Sequence, residues 1–342
     1  MFFKASFSTA GAVALVITQC ALQAWGHPVN NTDQFRILGK RAGFLELHCA
    51  GSDASNVLFA LTEARSLVLA AQNSHKRVVE YLDKLNTFAF SYKADAWTWS
   101  ATQTFEAFFG KAFFGFWKKE NAAGRDRAKY IADALQNLAD ALAEPATMPF
   151  DIYCSDSWLD PYEFWDSRPG SETTEWISFA AVEGKCRSTA EGFYAVVFPK
   201  PPLYDNPIMT FCEPWLKKFG DARSAGQTIG NLYNSPMTVP WHIDRFIDFS
   251  LSAAILHELM HVQPVMFPST PLGASIVDQP CPIQPGGAYG YHCITALAKA
   301  NPDLAISNAD TWSNYVIALA LSNYNWATGF AILPSEGPEV SS

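Results

Sequence analysis

The chain has 342 residues, 49% of them hydrophobic and 17% charged, with a formal net charge of −9 at pH 7. That is a globular composition, long enough for one large domain or two ordinary ones, and not that of a disordered chain. The acidic balance, with no cluster of Lys and Arg to offset it, argues against nucleic acid or a membrane surface as a partner, because both need a basic face.

The first 26 residues have the pattern of a secretory signal. Lys4 supplies the positive start, residues 11–21 the apolar core, and Ala24-Trp25-Gly26 the small residues of a cleavage site before His27. The apolar core is short for a membrane span of about 20 residues. A secreted, extracellular protein is therefore expected, with a polar tail over 27–43 that carries the sequon Asn30-Asn31-Thr32. Of seven cysteines, Cys20 lies in the signal and Cys49, Cys154, Cys186, Cys212, Cys281 and Cys293 remain. An even number in an exported chain implies disulfides, with 15 connectivities open. No CxxC pair occurs, so a cysteine zinc site is not expected.

Apolar residues at helical spacing predict a long helix over 55–85 and another over 125–142. Between them, 102–117 is crowded with Phe105, Phe108, Phe109, Phe113, Phe114 and Phe116, the pattern of a packed core. After Pro149 the pattern changes. Segments 150–154, 192–198 and 208–212 alternate like strands, and the acidic, Pro-broken stretch 156–176 between them predicts a surface insertion. A mostly apolar helix follows over 242–262, then a Pro- and Gly-rich loop over 264–287, then helices over 291–299 and 309–322. These elements predict an α+β fold: a helical N-terminal part and a small mixed sheet in one domain over 44–330, with a C-terminal tail over 331–342.

The chemistry is concentrated in His257-Glu258-Leu259-Met260-His261. Residues four apart on a helix share a face, so both imidazoles can reach one metal ion, and imidazole nitrogen suits zinc. Glu258 lies beside that face, where its carboxylate can take a proton from a metal-activated water. A third ligand is needed. Pro264 and Phe267 stand where an HExxHxxGxxH site would have Gly and His, and beyond the motif the glutamates are Glu336 and Glu339, in the polar tail. Asp278, His292, Asp303 and Asp310 remain, and the apolar neighbours Ile276 and Val277 favour Asp278 as the ligand. His242 and His292 are expected to be structural.

Around this motif the chain resembles the aspzincins, the deuterolysins and fungal peptidyl-Lys metalloendopeptidases. Ala288-Tyr289-Gly290-Tyr291 and Asn308-Ala309-Asp310 follow HExxH in the order found there, and upstream Cys49, Phe108-Phe109-Gly110, Cys154 and Cys212 also fall in order, so that the likeness spans about residues 44–330. Three departures stand out. Gly286 occupies the position of the family's ligand Asp, the loop after the catalytic helix is longer, and Ser313 replaces a Glu that joins the Asp of Asn-Ala-Asp in binding lysine.

The resemblance implies a zincin-like fold and a zinc endopeptidase with one ion. His257, His261 and Asp278 would hold the ion, Glu258 would act as general base, Tyr289 would steady the oxyanion, and Asp310 would contact substrate. It also implies bridges Cys49–Cys154 and Cys186–Cys212, leaving Cys281–Cys293. A monomer acting on protein or peptide substrates is expected; the alternative is a catalytically inactive secreted relative that only binds a partner.

Overall fold

A computed structural model describes residues 46–86, 91–112, 119–143, 151–155, 195–198, 208–234, 237, 240–262, 276–335 and 339–341. The signal segment, the polar tail with its sequon, Cys186 and the insertion 156–176 lie outside the described residues. Residues 41–342 group as one unit by their contacts.

The helical part is built on α1 (Gly51–Asn86), somewhat longer than the 55–85 expected. Its inner face is Val57, Ala60, Leu61, Ala64, Val68, Ala71 and Val78, all essentially without solvent exposure. The recurrent alanines let neighbours approach closely. Against it pack α2 (Ala96–Phe109) and α3 (Lys119–Ala141). Asp95 starts α2 by accepting a hydrogen bond from the Thr98 backbone N–H at 2.8 Å. Phe105, Phe108 and Phe109 are fully buried, as the aromatic cluster predicted. Residues 113–118, with the other three phenylalanines, are outside the described residues.

The sheet is small and mixed. Its strands are β1 (Glu46–His48), β3 (Asp151–Tyr153), β4 (Ala195–Phe198) and β5 (Ile208–Phe211), in the order β1-β3-β5-β4. The first three spatial neighbours are parallel and β4 is antiparallel to β5. The β1–β3 register sets His48 opposite Tyr153, so the next residues, Cys49 and Cys154, are side by side and bonded. Cys212 is also disulfide-bonded. A separate pair, β2 (Ser91–Lys93) with β6 (Glu339–Ser341), takes in part of the segment assigned to a C-terminal tail. Ala331 is tied down as well, its N–H donating to the Trp241 carbonyl at 2.9 Å.

After α4 (Glu213–Ser224) and α5 (Ile229–Asn234), the helix expected over 242–262 is in fact two. The short α6 (Arg245–Phe249) ends at Ser250, whose extended backbone starts α7 (Leu251–His261) and whose hydroxyl accepts from the Ala253 N–H at 3.3 Å. Three more helices close the fold: α8 (Gly290–Ala300), α9 (Pro302–Ile306) and α10 (Ala309–Ala320). Helix α7 lies between α1, α10 and β4, and all its residues up to Met260 are buried. The two histidines therefore project from a helix held on several sides.

Candidate metal centre

His257 and Glu258 are buried in α7, and His261 ends it. Opposite them runs the segment 276–278, fixed by main-chain pairing with the start of α10. The Val277 N–H donates to the Ser307 carbonyl at 3.0 Å, and the Ala309 N–H donates to the Val277 carbonyl at 3.2 Å. This pairing brings Asp278 to the helix. Asp278 Oδ1 is 3.3 Å from His257 Nε2 and 3.6 Å from His261 Nε2, and the two Nε2 atoms are 3.4 Å apart.

These three atoms form a nearly equilateral triangle that could hold a metal ion. A tetrahedral ion with bonds of about 2.0–2.1 Å spaces its ligand atoms about 3.3–3.4 Å apart. The imidazoles are also turned the right way. His261 Nδ1 is 3.2 Å from the Ile276 carbonyl oxygen, which can only accept, so Nδ1 carries the proton and Nε2 keeps its lone pair for the triangle. His257 Nδ1 is 3.4 Å from Asp310 Oδ1 in the same sense. The donor set and the proton positions therefore fit a cation such as zinc, and the fourth tetrahedral position belongs to none of the three side chains.

The same carboxylates also favour a proton on His257, one that a cation bound in the triangle would displace. Burial alone would lower the His257 pKa, but hydrogen bonds to Asp278 and Asp310 and the charge of Glu258 outweigh it and raise the pKa well above normal. Burial would raise that of Asp278, yet His257, His261 and the Tyr289 hydroxyl bring it down to about 2. The group is a ready cluster of negative charge, a setting that favours a cation. Tyr289 is half-exposed and donates to Asp278 Oδ2 at 2.8 Å. Its own ionisation is suppressed by burial and by the charges of Asp278, Glu258 and Asp310, so it stays a donor.

The longer loop before Tyr289 folds as an excursion. Residues 279–288 double back on themselves: the Ala288 N–H donates to the Gln279 carbonyl at 2.5 Å, Pro280 bridges Gly287, and the Cys281 N–H donates to the Gly286 carbonyl at 2.9 Å. Asp278 and Tyr289 thus flank the base of a hairpin and meet across it. Gly286, where the resemblance to the aspzincins would place a ligand Asp, sits in that hairpin with φ +109°, a conformation in which an aspartate would be strained. The bridge Cys281–Cys293 ties the hairpin to α8.

Asn308, which the sequence does not single out, supports the candidate centre. It is fully buried and clamps the hairpin base: its Oδ1 accepts from the Gln279 N–H at 2.9 Å, and its Nδ2 donates to the Ala288 carbonyl at 3.1 Å. The signal was present in Asn308-Ala309-Asp310, but a lone Asn before a helix reads as an ordinary cap.

Asp310, expected to contact substrate, is 6% exposed and turned inward. Besides facing His257, it accepts from the Gly290 N–H at 2.6 Å, while Asp244 accepts from the Tyr291 N–H at 2.6 Å, so two carboxylates hold the start of α8. Gly290, at φ +72°, permits this approach; a Cβ there would stand 3.1 Å from Asp244 Oδ2. Ser313 is buried, its hydroxyl donating to the Asp310 carbonyl at 3.2 Å. His242 packs edge-on to Tyr291 and Phe330, as befits a structural residue, and His292 is exposed on α8. Asp303 lies in the first turn of α9. Neither His292 nor Asp303 belongs to the triangle. No protein-family model matches this chain, and no curated protein matches it significantly.

Proposed function

We propose that this protein is a secreted zinc endopeptidase of aspzincin type, with a zincin-like fold. The observation that carries the reading is the triangle in which His257 Nε2 and His261 Nε2, on the same helix as Glu258, meet Asp278 Oδ1 beside a tyrosine hydroxyl. His257, His261 and Asp278 would hold a zinc ion, which when bound would supply a Lewis acid and a water acidic enough to deprotonate near neutral pH. Glu258 follows His257 directly in α7, and its charge bears on both His257 and Tyr289, which makes it the carboxylate that would serve such a water as base. Its part is to take the proton of the attacking water and return it to the leaving amine. Tyr289 is half-exposed and kept protonated, and its one hydroxyl hydrogen, held by Asp278 Oδ2, would turn from that oxygen to the one that gains charge as the peptide carbonyl becomes tetrahedral. The disulfides Cys49–Cys154 and Cys281–Cys293 accord with an extracellular setting. A binding-only relative is the alternative, for which Gly286 in place of a ligand Asp would speak; Asp278 in the donor triangle weighs against it.

The test is Glu258→Gln. This variant keeps the metal-binding triangle and should bind zinc as wild type does, while peptide hydrolysis read by mass spectrometry falls at least about a hundredfold. Hydrolysis at the wild-type rate would remove Glu258 from the chemistry. Wild-type protein loaded with zinc yet inert on a broad peptide library would sink the endopeptidase reading itself.

A further inference from the structure

We propose that Asp310 is a positioning residue for the metal centre and not a substrate-contacting acid: one oxygen sets the tautomer and direction of His257, and the other locks the chain just after Tyr289. The proposal rests on the metal-binding reading of the triangle and extends it to a residue outside that triangle.

Both oxygens of Asp310 have protein partners. Oδ1 stands 3.4 Å from His257 Nδ1 and Oδ2 accepts from the Gly290 N–H at 2.6 Å. An ionised carboxylate can only accept, so it requires a proton on Nδ1 and leaves the Nε2 lone pair for the triangle. The residue is also immobile. Its carbonyl accepts from Ser313 Oγ at 3.2 Å and Asn314 Nδ2 at 2.9 Å, and the preceding turn is held by Asn308. With so little exposure and a partner already on each oxygen, Asp310 leaves a basic side chain of a substrate no open approach.

The two histidines are therefore anchored differently. His261 leans on a neutral backbone carbonyl, whereas His257 leans on a charged carboxylate. A carboxylate partner makes an imidazole the more basic ligand, and loss of such a partner weakens metal binding about 10–100-fold. Because the same side chain grips Gly290, the position of Tyr289 is tied to the orientation of His257.

Asp310→Asn is the discriminating variant. The amide matches the carboxylate in shape and can still accept from Gly290 through its oxygen. It then presents an N–H to His257 Nδ1, which demands the opposite tautomer and puts the proton on Nε2. The expected result is a metal-free protein that unfolds near the wild-type temperature but binds Zn2+ about 10–100-fold more weakly in chelator competition. Residue preference at the cleavage site should stay as in wild type. Wild-type Zn2+ affinity in Asp310→Asn, or loss of a preference for basic residues with affinity intact, overturns the proposal. A second measurement does not depend on the variant folding. Imidazole 1H–15N spectra of the zinc-loaded wild type should show His257 protonated at Nδ1, with slow exchange; an unprotonated Nδ1 overturns the proposal equally. Failure of peptide cleavage in the zinc-bound wild type would count against the endopeptidase reading alone, since the affinity comparison stands without it.

Discussion

Two buried histidines lie against α10, one at its start and one at its middle, and their surroundings differ in kind. At the start of the helix, Asp310 faces His257, which also meets Asp278 and the charge of Glu258. Five residues on, Tyr315 faces His75 of α1 amid Phe105, Phe108, Phe109 and Trp312. His75 Nε2 is 2.7 Å from the Ala128 carbonyl, so it donates there, and Nδ1 accepts from the Tyr315 hydroxyl at 2.6 Å. Both of its nitrogens are satisfied by neutral groups, and burial lowers its pKa to about 4. Burial is common to the two sites; what separates a candidate metal centre from a packed core is the carboxylates.

The sharpest way to break that comparison is to remove a carboxylate. Asp278→Ala should abolish stoichiometric zinc, measured by elemental analysis after dialysis, because two imidazoles alone hold zinc poorly. His292→Ala should keep full zinc content. Zinc retained in the first variant and lost in the second would make this a three-histidine site.

Asn308→Ala attacks the frame without touching a ligand. It unpairs the Gln279 N–H and the Ala288 carbonyl, each costing about 1–3 kcal/mol when buried, so a loss of about 3 kcal/mol in chemical unfolding is expected, with weaker zinc binding. A variant as stable as wild type would show that the hairpin base holds itself.

The core histidine makes the opposite kind of prediction, one of pH. Above the unfolded pKa of 6.5, His75 is neutral both folded and unfolded and costs nothing. As pH falls from 6.5 toward about 4, only the unfolded chain gains the proton, so stability is lost across that window and the loss levels off below it. The full effect is at most about 3 kcal/mol. Denaturant midpoints of metal-free wild type and His75→Gln, taken from pH 7 to pH 4, should therefore converge as pH drops. Parallel curves would mean that His75 titrates normally.

The smallest effect belongs to Tyr315→Phe, which leaves His75 Nδ1 without its donor and should cost about 1 kcal/mol with zinc affinity unchanged. A change in zinc affinity would show that the start and the middle of α10 are coupled.

The motif helix and its ligand face were legible in His257-Glu258-Leu259-Met260-His261, because a spacing of four places both imidazoles on one side whatever surrounds them. Asp278 could be reached by exclusion, since so few acids follow the motif. The long helices and the buried phenylalanines were equally plain, as periodicity and apolar content report local structure and burial together. The division at Ser250 was not, because Ile247, Phe249 and Leu251 keep the region apolar and a serine serves as either cap or helix interior.

What the sequence by itself determined, then, is which residues could hold a metal ion: two imidazoles at helical spacing and an available aspartate. Tertiary structure decided their geometry and the tasks of their neighbours. The pairing of Val277 with Ser307 and Ala309 carries Asp278 to the helix, and the doubling back of 279–288 lets Tyr289 reach it. Asp310 became the partner of His257 through a contact spanning more than fifty positions. Local spacing cannot encode such contacts, because they depend on how separate segments pack and on which buried polar groups must satisfy one another.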